Sequence, residues 1–130
     1  MAKSIKDYLI ENPIDNVTET ITLELKRKGK ESLEGDFTYS LMNGENLNEY
    51  QRKATPPQKP GDKTAPLPRT SKVNEMMVIN HCIEPDFRDA KWIEQAGVKT
   101  PEQLLYKVLK PGEIQALALA ILELSGLGED

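Results

Sequence analysis

The sequence predicts an α+β fold that is mainly α: an N-terminal β-hairpin plus a C-terminal helical bundle, joined by a Pro-rich linker. Three observations carry that expectation. Residues 19–25 (ETITLEL) and 37–41 (FTYSL) alternate apolar and polar side chains, the period of half-buried strands. Residues 55–72 (TPPQKPGDKTAPLPRTSK) hold five prolines, a density that neither a helix nor a central strand tolerates. Beyond residue 73, apolar residues recur at helical spacing between recognisable start and stop signals. The expected organisation is therefore 1–55 (short helix, hairpin, helix), 56–72 (linker) and 73–130 (helical region).

In order along the chain, SIKDYLI (4–10) reads as a short helix capped by Ser4, with Ile5, Leu9 and Tyr8 facing inward and Pro13 ending it. In the first strand Ile21, Leu23 and Leu25 share one face. A polar turn with Gly29 and Gly35 leads to the second strand, whose inward set is Phe37, Tyr39 and Leu41. A lone hairpin is marginal in water, so this one needs a cover. Asn43 is placed to cap a helix over 43–54, with Leu47, Tyr50 and Ala54 along one side. The linker is expected to be extended and semi-rigid.

The helix over 73–83 shows a seam of Val73, Met76, Met77, Asn80 and Ile83. Asp89 is placed to cap the helix AKWIEQA, with Gly97 just beyond its end. Thr100, Pro101 and Gln103 together form a strong helix start. Pro111 cannot continue that helix but suits the first position of a new one, over 111–125, where Glu113 in the first turn complements the helix dipole. Pro111, Gly112 and Glu113 thus read as a structural corner between two apolar helices.

Composition narrows the function. The chain has 130 residues, enough for one domain with a modest core, and 38% hydrophobic residues with nine prolines imply that part of it does not pack. The formal charge is −4, which offers no overall basic footprint for nucleic acid. The charge is uneven: residues 1–55 carry −2, 56–72 carry +3 and 73–130 carry −5. The single cysteine, Cys82, excludes an intrachain disulfide. No secretory h-region and no bilayer-length apolar run is visible, so a cytoplasmic location and no membrane partner are expected.

No chemistry-bearing constellation stands out. His81 and Cys82 are helix neighbours pointing about 100° apart, and two such residues fall short of the roughly four ligands of a zinc site. Glu84, Asp86 and Asp89 lack the spacing of a calcium loop, and no phosphate-binding glycine fingerprint occurs. The expectation is no enzyme, no catalytic residue, no metal and no cofactor. Met76 and Met77 read as core in preference to an adaptable binding surface.

The last helix is the informative one. IQALALAIL (114–122) carries no charge. Ile114, Leu117, Ala118, Ile121 and Ser125 form one face, while Ala116, Leu119 and Ala120 lie largely on the other. A small chain has few elements to surround such a helix, so another chain is expected to cover part of it. Ala116, Leu119, Ala120 and Leu127 are the expected partner-binding residues.

These residues also carry a family signal. The stretch PDFRDAKWIEQAGVKTPEQLLYKVLKPGEIQALALAILELSG resembles the C-terminal part of the tail assembly chaperones of contractile-tailed phages and prophages of Gram-positive bacteria. The shared pattern is P-x-[LF]-x-D-A, then G-V, then a leucine pair leading to PGE; Lys110 stands where the family often has leucine. The order of parts matches over nearly the whole chain, from SIKDYL through RKAT to INHCIEPDFRDA. The resemblance implies a non-enzymatic assembly factor that binds the tape measure protein and helps recruit tail tube protein during tail morphogenesis. It implies action in the host cytoplasm and absence from the mature virion. Surplus apolar surface leaves room for self-association. The rival reading is a small regulatory DNA-binding protein using the helix pair 101–109/111–125, but the second helix has no Lys or Arg to meet phosphates or bases.

Overall fold

Leu25 and Leu33 face each other at the closed end of an antiparallel hairpin, and the remainder of the fold is built against that hairpin's inner face. The computed structural model describes residues 4–127. Its elements are α1 (Ile5–Glu11), β1 (Thr18–Leu25), β2 (Leu33–Ser40), α2 (Gly44–Ala54), α3 (Thr70–His81), β3 (Cys82–Glu84), α4 (Ala90–Gln95), α5 (Pro101–Val108) and α6 (Pro111–Leu124). The fold class is α+β and mainly helical.

In the hairpin Ile21 stands opposite Phe37 and Leu23 opposite Gly35. The polar face is tied across the strands by Thr20 and Thr38 hydroxyls 3.0 Å apart and by a 2.6 Å bond from the Thr22 hydroxyl to Asp36. β2 starts at Leu33, four residues earlier than alternation alone suggests. Gly35 masks the pattern in LEGD because it brings no side chain to its face. That absence is used: a Cβ at Gly35 would meet the Leu25 side chain at 3.1 Å, so Leu25 lies directly over the glycine.

The helix expected over 73–83 begins at Thr70 and stops at His81. The Arg69 amide donates to the Ala54 carbonyl at 3.0 Å, which anchors the start of α3 to the end of α2. At the other end Pro85 biases Glu84 toward extended backbone, and residues 82–84 form a short strand instead of a last helical turn. β3 pairs antiparallel with β2, giving sheet order β1-β2-β3. The inward set differs from the expected seam: Met77, Val78 and Ile79 are buried, whereas Asn80 and Ile83 are exposed.

α6 runs through the middle, against α3 on one side and β1 and β2 on another. Its Leu117 and Ile121 are fully buried, and Ile114, Ala118 and Ala120 nearly so. One core joins Phe37, Tyr39 and Tyr50 from the N-terminal part to Met77, Leu104 and Leu117 from the C-terminal part. Burying each such side chain contributes roughly 1.5–3 kcal/mol.

The cap chemistry follows sequence. Ser4, Asn43, Asp89 and Thr100 each accept a backbone N–H at the start of α1, α2, α4 and α5. Gly97 and Gly126 take φ of +74° and +82° just past the ends of α4 and α6. After α6 the Leu127 amide reaches back to the Leu122 carbonyl and that of Gly126 to Glu123, closing the helix.

The inward orientation expected for α1 is overturned. None of its residues is buried, and Ile5, Tyr8, Leu9 and Ile10 are all more than half exposed. The helix is only seven residues long, too short to bury a face of its own, and its apolar side chains stay largely exposed.

Candidate functional site

The corner between α5 and α6 is held from the hairpin. Glu113, 11% exposed, accepts the Lys110 backbone N–H at 2.8 Å, satisfying a donor at the start of α6. Arg27, just beyond β1, donates to both Glu113 carboxylate oxygens at 2.9 Å and to the Val108 carbonyl at 2.7 Å. The Arg27 guanidinium holds the Glu113 carboxyl below the usual carboxylate range, and the same hydrogen bond raises Arg27 above its own. Sequence reading passed over Arg27 as part of a polar turn. The signal was there: counting by twos from Ile21, Leu23 and Leu25 places residue 27 on the inward side. Only arginine among the cations there can grip a carboxylate and a carbonyl with one planar fork.

His81 and Cys82 serve the interior. The His81 ring bridges three elements: Nδ1 lies 3.1 Å from the Ser40 hydroxyl and Nε2 2.9 Å from the Tyr50 hydroxyl. Burial, with Arg88 nearby, lowers its pKa and keeps the ring neutral. The Cys82 thiol donates to the Pro85 carbonyl, and burial pushes it up to about 12, which makes it a poor nucleophile at neutral pH. Asp89 caps α4, and Asp86 accepts the Arg88 amide. Among the described residues no group of three or more His, Cys, Asp or Glu is arranged to hold a metal ion. Met77 is buried and Met76 partly so.

The surface has an apolar site. A cleft of about 480 Å³ lies between α2, α3 and the end of α6, lined by Leu47, Leu67, Val73, Met77, Leu122 and Leu127 among others. Its wall from the Pro-rich segment is Leu67, the one large aliphatic residue between 56 and 69, and 80% exposed. Leu127 is 55% exposed at the cleft's edge. Leu119, 50% exposed, precedes the cleft-lining Leu122 by three residues on α6 and is not itself part of the lining. Ala116 is half-buried, one turn back from Leu119 and Ala120. Ala120 is 5% exposed, so of the four expected partner-binding residues it alone points into the core. The exposed positions of α6, including Gln115, Leu119 and Glu123, present no cation to a nucleic acid.

Residues 5–130 match the family of phage XkdN-like tail assembly chaperone proteins. The chain belongs to that family. Its role is accordingly that of a chaperone in phage tail assembly, which implies contact with tail proteins and a structural, non-enzymatic task. The fold is similar to the crystal structure of the protein yqbn, with TM-score 0.61 and 12% identity over 97% of this chain and 98% of the other. No curated protein matches the chain by sequence. Among the described residues of this chaperone, no helix is long and apolar enough to cross a membrane.

Proposed function

We propose that this chaperone holds the tape measure protein through the Leu119–Leu127 side of α6 and helps recruit tail tube protein during tail morphogenesis. The carrying observation is the pair of half-exposed leucines, Leu119 and Leu127, beside an apolar cleft of about 480 Å³. Isolated exposed leucines are ordinary, but Leu127 on the cleft and Leu119, one turn before the cleft-lining Leu122, together form a surface that an apolar helical stripe fits. Ala116 borders that surface, and Ala120 supports it from beneath. Pro111, Gly112 and Glu113, clamped by Arg27, set the direction in which α6 presents it. Such a holdase needs no cofactor, works in the host cytoplasm and leaves before the virion matures. The Pro-rich segment 56–72 serves as the connection between the 1–55 and 73–130 parts and supplies one wall of the cleft.

Co-expression with the tape measure and tail tube proteins of the same phage, followed by pull-down, tests this. The expected result is co-purification of the tape measure protein, reduced about tenfold or more by Leu119→Glu. The urea midpoint of that variant should stay unchanged. Failure of both tail proteins to co-purify would overturn the proposal, and unfolding of Leu119→Glu would assign that position to the core.

A further inference from the structure

Five of the eleven large hydrophobic side chains exposed among the described residues lie within ten residues of one another: Ile5, Tyr8, Leu9, Ile10 and Ile14. They belong to α1 and the segment after it, and all five are more than half exposed. The same molecule carries the apolar cleft of about 480 Å³ between α2, α3 and the end of α6. We propose that two copies of the chain pair by exchanging α1, the helix of each seated in the cleft between α2, α3 and α6 of the other.

Three observations point to a second copy as the occupant. The first is chemical fit. The cleft is apolar, and the recess beside it is lined by Lys53, Arg69 and Lys72. Lys53 and Lys72 already have carboxylate partners, Glu49 and Glu75, whereas Arg69 makes no ion pair among the described residues. Residues 5–15 carry three acids, Asp7, Glu11 and Asp15, against one base, Lys6, so the apolar segment has a net charge of −2 to set beside the basic recess.

The second observation is position. The Leu41 amide donates to the Val17 carbonyl, and the next residue, Met42, donates its amide to the Ser125 hydroxyl at 2.9 Å. The chain therefore leaves the fold toward α1 at the end of α6 that carries Leu127. Two copies meeting at this end bring each helix to the other's cleft. The tether of residues 12–16 spans at most about 17 Å when extended.

The third is direction. Pro13 fixes its own φ and restricts Asn12, so the chain after α1 resists folding straight back. In this conformation the α1 side chains stand in solvent and not on their own cleft. Reciprocal exchange makes the contact twice under one two-fold axis, which a single-chain return does not.

The test is sedimentation velocity over a concentration series with three full-length proteins: wild type, Ile5→Glu/Leu9→Glu, and Leu67→Glu/Leu127→Glu. All four positions are more than half exposed, so both variants should keep the wild-type urea midpoint. A dimer is expected for wild type, with the association constant lowered at least tenfold by either pair of substitutions. Mixing the two variants should restore part of the association, because the intact helix of one meets the intact cleft of the other. A wild type monomeric throughout, a dimer indifferent to either pair, or variants that fail to complement each other would each overturn the exchange. The exchanged helix and the proposed client share the Leu127 edge of the cleft, so Leu67→Glu/Leu127→Glu should lower both self-association and tape measure capture, whereas Leu119→Glu, outside the cleft lining, should lower capture and leave self-association intact.

Discussion

α1 and α6 are both rich in aliphatic residues, yet one lies open to solvent and the other forms the centre of the molecule. Ile5 and Ile10 of α1 are 79% and 68% exposed, whereas Leu117 and Ile121 of α6 are completely buried. Apolar content does not separate them. What differs is the surroundings: α6 has α3 on one side and two strands on another, and its 14 residues span about 21 Å of core. α1 has seven residues, about 10 Å, and is followed by the connecting residues 12–17 before β1 begins. A helix that short is marginal alone, so its apolar side chains represent unmet packing. Burial is a property of an element and its neighbours together, and the proposed exchange of α1 rests on this contrast.

The sharpest way to break the comparison is to truncate one leucine in each helix. Leu117→Ala should cost about 2–5 kcal/mol, since it opens a cavity where nothing can collapse freely. Leu9→Ala should stay within about 0.5 kcal/mol at concentrations where the chain is monomeric. Urea unfolding measures both, and equal losses would mean that α1 packs as α6 does.

The same contrast shows what was legible in the sequence. Local signals carried far. The caps at Ser4, Asn43, Asp89 and Thr100 act within three residues of themselves, and so they could be read from spacing. The buried face of α6 followed from its period, and the phage-tail family from the PGE corner and the residues before it. Non-local facts were not legible. Whether Ile5 and Leu9 are covered depends on elements elsewhere, and periodicity is silent on that. β3 was hidden because a three-residue strand is too short to show alternation and forms only by pairing with β2. The cleft combines Leu47, Leu67 and Leu127, residues from three distant segments. Arg27 was half-legible: its face was implied by the strand's period, but its partner, Glu113, lies 86 residues away.

The corner tests how far the hairpin holds α6 in place. Glu113→Gln keeps an acceptor for the Lys110 amide but loses the charge that Arg27 grips, and should cost about 1–2 kcal/mol in urea unfolding. The pH dependence has a definite sign. The folded carboxyl titrates below its unfolded value, so its contribution is present above the ordinary carboxylate range and is lost as pH falls through the folded value. Glu113→Gln should therefore flatten the acid side of the stability curve. An unchanged acid slope would show that the clamp adds little in solution.

His81 gives a smaller effect at milder pH. Its pKa is lowered from 6.5, so the unfolded chain takes up a proton before the folded one. Stability should be full above the unfolded value of 6.5 and fall as pH drops below it toward the folded value. His81→Gln should remove that slope, and thermal melts at stepped pH would show it.

The smallest effect is the most discriminating for the two kinds of helix. Ser4 and Thr100 cap their helices with the same chemistry, a hydroxyl accepting a backbone N–H at 3.2 Å and 3.1 Å. Thr100→Ala should cost about 1 kcal/mol of global stability, because α5 places the fully buried Leu104 and Leu105 and cannot fray without exposing them. Ser4→Ala removes an equal bond from a helix that the core does not use. In dilute solution its global effect should vanish within error, while amide exchange across residues 5–11 speeds up. At concentrations where copies associate, the same substitution should weaken the dimer, because the exchanged helix must be ordered to dock and its ordering cost rises without the cap. A global loss in dilute solution equal to that of Thr100→Ala would place α1 in the core after all.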